Sequence, residues 1–163
     1  MCSAVLALSL AGTFAHADEV LNFGQLIADR GAVGACAGTL ANTGRIQAKG
    51  VATDAGGNIV MTAQANIILT ADSTLDASGE QDGGSIAITS NDGGVYAGGE
   101  ISLRGEAGAG GNATISGEMV LLAAQIDARG ASHGGNVVVR GDLHGNGGGC
   151  QGNHNRHDGR CRH

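Results

Sequence analysis

Neither proline nor tryptophan occurs in this chain, and its aromatic side chains amount to Tyr96, Phe14 and Phe23. A core anchored on large rings is therefore excluded, and any core must be aliphatic. Collagen is excluded as well, because proline is absent and glycine has no every-third-residue period. Cations are scarce, with nine Lys and Arg against fifteen Asp and Glu and a net charge of −6. No basic stripe interleaved with aromatics is present, so nucleic acid is not an expected partner. No run of about 18 apolar residues exists, which excludes a bilayer-spanning helix.

What the chain has is glycine, 31 in 163 residues, combined with 42% hydrophobic residues. The aliphatics sit in short blocks, which a disordered glycine-rich linker does not show. The amino terminus carries the apolar run Ala4–Gly12, then Ala15-His16-Ala17 and Asp18-Glu19, the order of a secretory signal cleaved after Ala17. No Lys or Arg precedes that run, and a strand of an upstream coil has the same apolar character, so both readings of residues 1–17 stand.

A repeat organises the rest. Gly56-Gly57-Asn58-Ile59-Val60-Met61 recurs from Gly83, Gly110 and Gly134, at spacings of 27, 27 and 24 residues. A second block keeps time with it: Arg45–Gly50, Thr74–Gly79, Glu100–Gly105 and Gln125–Gly130. Each block alternates like a strand, with Ile59 and Met61, Ile86 and Ile88, or Val137 and Val139 on one face. Glycine pairs bound the strands and supply positive φ or tight corners. A repeat of about 25 residues holding several short strands is one coil of an all-β parallel solenoid, each coil covering the apolar face of its neighbour. About five coils are expected, starting near Val20, Leu40, Asn66, Gly93 and Met119. The domain reading is a signal at 1–17, solenoid repeats at 18–144 and a Gly/Cys/His-rich tail at 145–163.

Asn58, Ser85, Asn112 and Asn136 share one repeat position, so a parallel stack places them in a ladder along the axis. That role is structural.

The stretches Val20–Val33 and Leu40–Ala48, and the Leu75-Asp76-Ala77-Ser78-Gly79 and Gln125–Gly130 blocks each followed by a Gly-Gly strand, resemble the repeats of filamentous haemagglutinin-type adhesins, the exoproteins of two-partner secretion. The resemblance covers about residues 20–142. It implies a right-handed parallel β-helix, a piece of a longer repeat region, exported through an outer-membrane transporter to a secreted or cell-surface location on a bacterium. It also implies a structural role in adhesion toward a host-surface or carbohydrate receptor.

Catalysis is not expected. A β-helical carbohydrate-active enzyme needs convergent carboxylates with a cation beside them. Asp76 and Asp127 repeat in equivalent positions, but they read as solvated corners with no partner Arg recurring beside them. No cofactor motif is present. The one set with ligand chemistry is Cys150, His154, His157 and Cys161, two thiolates and two imidazoles that suit tetrahedral zinc and a metal-binding secreted protein. The same cysteines suit a Cys150–Cys161 disulfide in an exported chain, and a disordered or out-of-frame tail is the third reading. Cys36 lies in an apolar run and reads as a buried thiol. Both ends of the stack read as open: Leu21, Phe23, Leu26 and Ile27 begin it uncapped, and Leu143 is followed by Gly145-Asn146-Gly147-Gly148-Gly149. End-to-end self-association is the expected consequence.

Overall fold

Period-two alternation and glycine corners leave the chain one regular option, and strands are what forms. The computed structural model describes residues 13–28, 31–50 and 56–141, with side chains from Asp18 onward. They hold fourteen strands: β1 Thr13–Asn22, β2 Gln25–Ile27, β3 Ala32–Asn42, β4 Arg45–Gln47, β5 Asn58–Ala63, β6 Ile67–Leu69, β7 Thr74–Asp76, β8 Ser85–Ser90, β9 Gly94–Ala97, β10 Glu100–Ser102, β11 Asn112–Gly117, β12 Met119–Leu122, β13 Gln125–Asp127 and β14 Asn136–Gly141. No helix occurs among the described residues.

All pairings between these strands are parallel. They form three columns. The first runs β3-β5-β8-β11-β14, the second β3-β6-β9-β12 and the third β2-β4-β7-β10-β13. β3 belongs to two columns because it is long: its first half pairs with β5 and its second half with β6. β1 pairs along the whole of β3. In later coils the strand is broken at Gln64-Ala65-Asn66 and its equivalents. The third column has one strand for each of the five expected coils.

Chain register places like residues over like. Ile59, Ile86 and Ala113 stack in one inward row, Met61, Ile88 and Ile115 in a second, and Ile46, Leu75 and Ile101 in a third. These side chains are fully buried and form one continuous aliphatic core. Leu40, Ile67 and Val95 line the second column. The coil starts read from the sequence fall within two residues of this row.

Three expectations change. Val137 and Val139 follow the inward pattern, but they are 42% and 43% exposed, because β14 is the last strand of its column and nothing among the described residues stacks on it. Cys36 is exposed, since in β3 it takes the outward position between Ala35 and Ala37. The glycine pairs Gly56-Gly57, Gly83-Gly84 and Gly110-Gly111 are required by close approach rather than by positive φ. A Cβ on Gly84 would collide with the carbonyl oxygen of Gly57, while positive φ occurs at Gly99 (78°). The second glycine of each pair also closes a corner, as when Gly84 N–H donates to Ala77 O at 2.7 Å.

Residues 1–12 and 142–163 lie outside the described residues, so the signal reading is met only at Thr13–Ala17, whose backbone pairs with Val33–Ala37 in β1 and β3. The tail reading lies wholly outside.

Candidate functional site

With the inward rows spent on the core, chemistry toward a partner must come from outward rows, and the three columns differ sharply in what they present.

The first column carries the ladder read from the sequence. Asn58 pairs with Ser85, Ser85 with Asn112 and Asn112 with Asn136. Ser85 Oγ donates to Asn58 Oδ1 at 2.7 Å. The next outward row is Val60, Ala87, Thr114 and Val138, and the row beyond it, Thr62, Thr89, Ser116 and Arg140, is polar, with Ser116 Oγ 3.3 Å from Thr89 Oγ1. The two flanking rows of this face are rich in hydroxyls and amides, which repeat at the strand spacing of about 4.8 Å.

The third column is charged, and here the sequence reading needs correcting. Asp76 is buried rather than solvated, and cations do recur beside the aspartates. Asp76 Oδ2 lies 3.2 Å from Lys49 Nζ and 3.3 Å from Arg45 Nη2, both one coil earlier. Asp76 Oδ1 accepts from Ser78 N–H at 3.2 Å and from the Ser78 hydroxyl. Burial pushes the Asp76 carboxyl up, but the Ser78 donors and Lys49 outweigh it, and the net shift is downward from 3.8. Asp127 repeats the device. Its Oδ1 accepts from Arg129 N–H at 3.2 Å and Arg129 Nε at 2.8 Å, and its Oδ2 from Arg129 Nη2 at 2.6 Å, with Arg104 Nε 3.8 Å away. The Arg129 side chain is the largest cause that lowers Asp127 to about 2.

Both aspartates thus cap the N–H two residues on, the Asx turn that closes a coil corner, and the cations neutralise them. The signal was available in the sequence. Asp-Ala-Ser-Gly and Asp-Ala-Arg-Gly are turn tetrapeptides, and Lys49, Arg104 and Arg129 occupy one repeat position two residues after the Asp row. Such an arrangement holds a carboxylate ionised, whereas a general acid needs its proton retained near working pH.

The second column is nearly free of charge. Its central outward row is Leu21, Ala41, Ile68, Tyr96 and Leu121, in register from β1 to β12. Ile68, Tyr96 and Leu121 are exposed, as are Phe23 and Met119 on flanking rows. A contiguous apolar stripe on an outer sheet face is the kind of surface that marks an interaction site. The sequence reading missed it because these residues were counted as strand formers rather than assigned a face.

Cys150, His154, His157 and Cys161 lie outside the described residues. Among the described residues no cluster of His, Cys, Asp or Glu is arranged to hold a metal ion, and no helix is long and apolar enough to cross a membrane.

No family model matches the sequence, and no curated protein matches it. Among solved structures, the chain is similar to the HMW1 secretion domain from Haemophilus influenzae at 22% identity and a TM-score of 0.53. The likeness covers 76% of this chain and 46% of that one, so this chain spans less than half of that domain. At this identity the likeness shows the fold: the chain is an all-β parallel solenoid of the kind seen in that secretion domain.

Proposed function

We propose that this chain is part of a secreted, cell-surface adhesin-like β-solenoid, a rod that spaces or presents a binding surface and reaches the surface through an outer-membrane transporter. One observation carries the reading: the described chain is a continuous stack of coils whose fold is that of a bacterial secretion domain. The repeats resembling filamentous haemagglutinin-type adhesins support it from the sequence side. In this reading the aspartate and asparagine rows are structural, the rod performs no catalysis, and a receptor meets the uncharged second column or the hydroxyl-rich first column.

Two measurements test it. Expression in a Gram-negative host with and without a candidate transporter, followed by protease treatment of intact cells, is expected to degrade the chain only when the transporter is present. Beads coated with the purified chain are expected to bind host cells or members of a glycan panel. Equal protease protection with and without any transporter tried, together with uncoated-bead levels of binding, overturns the reading. Cleavage of a polyuronate by the purified chain would favour the enzyme instead.

A further inference from the structure

Among the described residues, two Asp-Gly pairs stand at exposed corners of the stack, Asp82-Gly83 before β8 and Asp92-Gly93 between β8 and β9. An aspartate followed by glycine carries a latent intramolecular reaction, because the next nitrogen can attack the side-chain carbon and no Cβ shields the approach. Packing imposes both glycines. A Cβ on Gly83 would lie 2.1 Å from Leu103 O, and one on Gly93 would lie 2.5 Å from Ala65 O. Exposure does not separate the pairs, since both aspartates are exposed and both glycines half-buried.

Hydrogen bonding does separate them. Asp82 Oδ1 accepts from Ala109 N–H at 2.7 Å, and Gly83 N–H donates to Ala109 O at 2.8 Å. Ala109, one coil on, thus holds both reacting groups of that pair, the carboxyl and the nitrogen. At the second corner the N–H groups of Asn91 and Asp92 donate to Ala63 O at 3.0 Å and Gln64 O at 2.8 Å, and that of Gly94 donates to Asn66 Oδ1 at 2.9 Å. Gly93 N–H, between them, has no partner among the described residues. The Asp92 carboxyl is held at Oδ2 alone, by the exposed Gln64 amide.

We propose that Asp92-Gly93 is a site of spontaneous isoaspartate formation in the folded chain, and that Asp82-Gly83 is protected by its bonds to Ala109. The step needs only water. Gly93 nitrogen attacks Cγ of the protonated Asp92 side chain, a C–N bond forms, and the carboxyl hydroxyl leaves with the Gly93 N–H proton as water. The product is a succinimide ring. Water then adds to one of its carbonyls. Opening at Cγ restores Asp92, whereas opening at the main-chain carbonyl carbon routes the chain through Cγ and frees the α-carboxylate. The isoaspartyl form carries an extra backbone atom at a corner that bonds to the coils on both sides, through Asp92 N–H to Gln64 O and through Gly93 O, which accepts from Glu118 N–H at 3.0 Å. It lengthens the link between the first and second columns in that coil and shifts both contacts.

The test follows the full chain, incubated folded and, in parallel, in concentrated guanidinium chloride. Peptide mapping resolves the sites, because isoaspartate resists cleavage by an Asp-specific protease and accepts a methyl group from protein isoaspartyl methyltransferase. It also separates Asp158-Gly159, which lies outside the described residues. In the folded chain Asp92 is expected to convert at least about tenfold faster than Asp82, where two hydrogen bonds must break first. In denaturant the two are expected to convert at comparable rates, since nothing then holds either. Asp92→Glu, whose ring would be larger and slower to close, is expected to remove the signal from its peptide.

Equal conversion of Asp82 and Asp92 in the folded chain overturns the proposal. So does a folded chain in which Asp92 stays intact while the denatured one accumulates isoaspartate there. A preference for Asp92 that persists undiminished in denaturant assigns it to neighbouring sequence instead, and a signal that survives Asp92→Glu places the reaction elsewhere; either result sinks the idea.

Discussion

Asn42 Oδ1 accepts a hydrogen bond of 2.8 Å from Nδ2 of Asn22, one coil away and twenty residues earlier. Asn42 is fully buried, and its own Nδ2 donates to Gly44 O at 3.2 Å, while Asn22 Oδ1 accepts from Gly24 N–H at 3.1 Å. The two amides tie down the corner between the second and third columns in the first two coils. In the next two coils the row continues with buried Leu69 and Ala97, so the corner changes from polar to aliphatic along the stack.

Removing one amide therefore strands the other. Asn42→Ala leaves the half-buried Asn22 amide without this acceptor and is expected to cost about 1 kcal/mol, the net worth of one hydrogen bond, read as a lower urea midpoint at unchanged slope. A variant that unfolds like the parent shows that this pair does not hold the corner.

Two glycines in one repeat position offer a sharper contrast. A Cβ on Gly110 would collide with Ala128 O and lie 2.6 Å from Gly135 N, all backbone, while one on Gly134 meets nothing within 4 Å. Gly110→Ala is expected to destabilise by about 3 kcal/mol or more, the upper end for overpacking, because no rotamer relieves it. Gly134→Ala should stay within about 0.5 kcal/mol. Thermal melts that rank the two equally remove close approach as the reason for the pairs.

Burying a carboxylate tests the register. Ile86 is 1% exposed, and Ile86→Asp is expected to unfold the stack, since an unpaired buried carboxylate costs several kcal/mol against a total of about 5–15. Ala87→Asp, on the outward face, should be mild. Val137→Asp should also be mild despite its inward position, because β14 is the last strand of its column among the described residues and Val137 on it is exposed. A Val137→Asp chain that melts as low as Ile86→Asp means that the final coil is covered.

Acid should loosen the third column first. Asp76 and Asp127 titrate below the ordinary 3.8 in the folded chain, Asp127 at about 2. A carboxyl with a depressed folded pKa contributes stability that is complete above its unfolded value and is lost as pH falls through the folded one. Denaturant midpoints are expected to hold above about pH 4 and to fall toward pH 2. Asp127→Asn should flatten that fall, and an unchanged slope excludes the Arg129 contact as its source.

The inward rows were legible in the sequence because alternation with period two is a local property that stacking only repeats. Ile59, Ile86 and Ala113 share a phase whatever lies above them. The Asn58–Ser85–Asn112–Asn136 register was legible for the same reason. Asp76 and Asp127 were misread because their cations come from other coils or from two residues on, and only the stacked geometry brings Lys49 and Arg45 to within 3.3 Å of Asp76.

By itself, then, the sequence determined the strand pattern, the repeat length and the identity of each stacked row, all of which follow from short-range alternation and spacing. The tertiary structure alone decided which members of a row are buried. Ile86 and Val137 hold the same position in the repeat, yet among the described residues one has a coil on either side and the other a coil on one side only. Burial in a solenoid is conferred by neighbouring coils, so it depends on where a residue stands in the stack and not on the residues beside it in the chain.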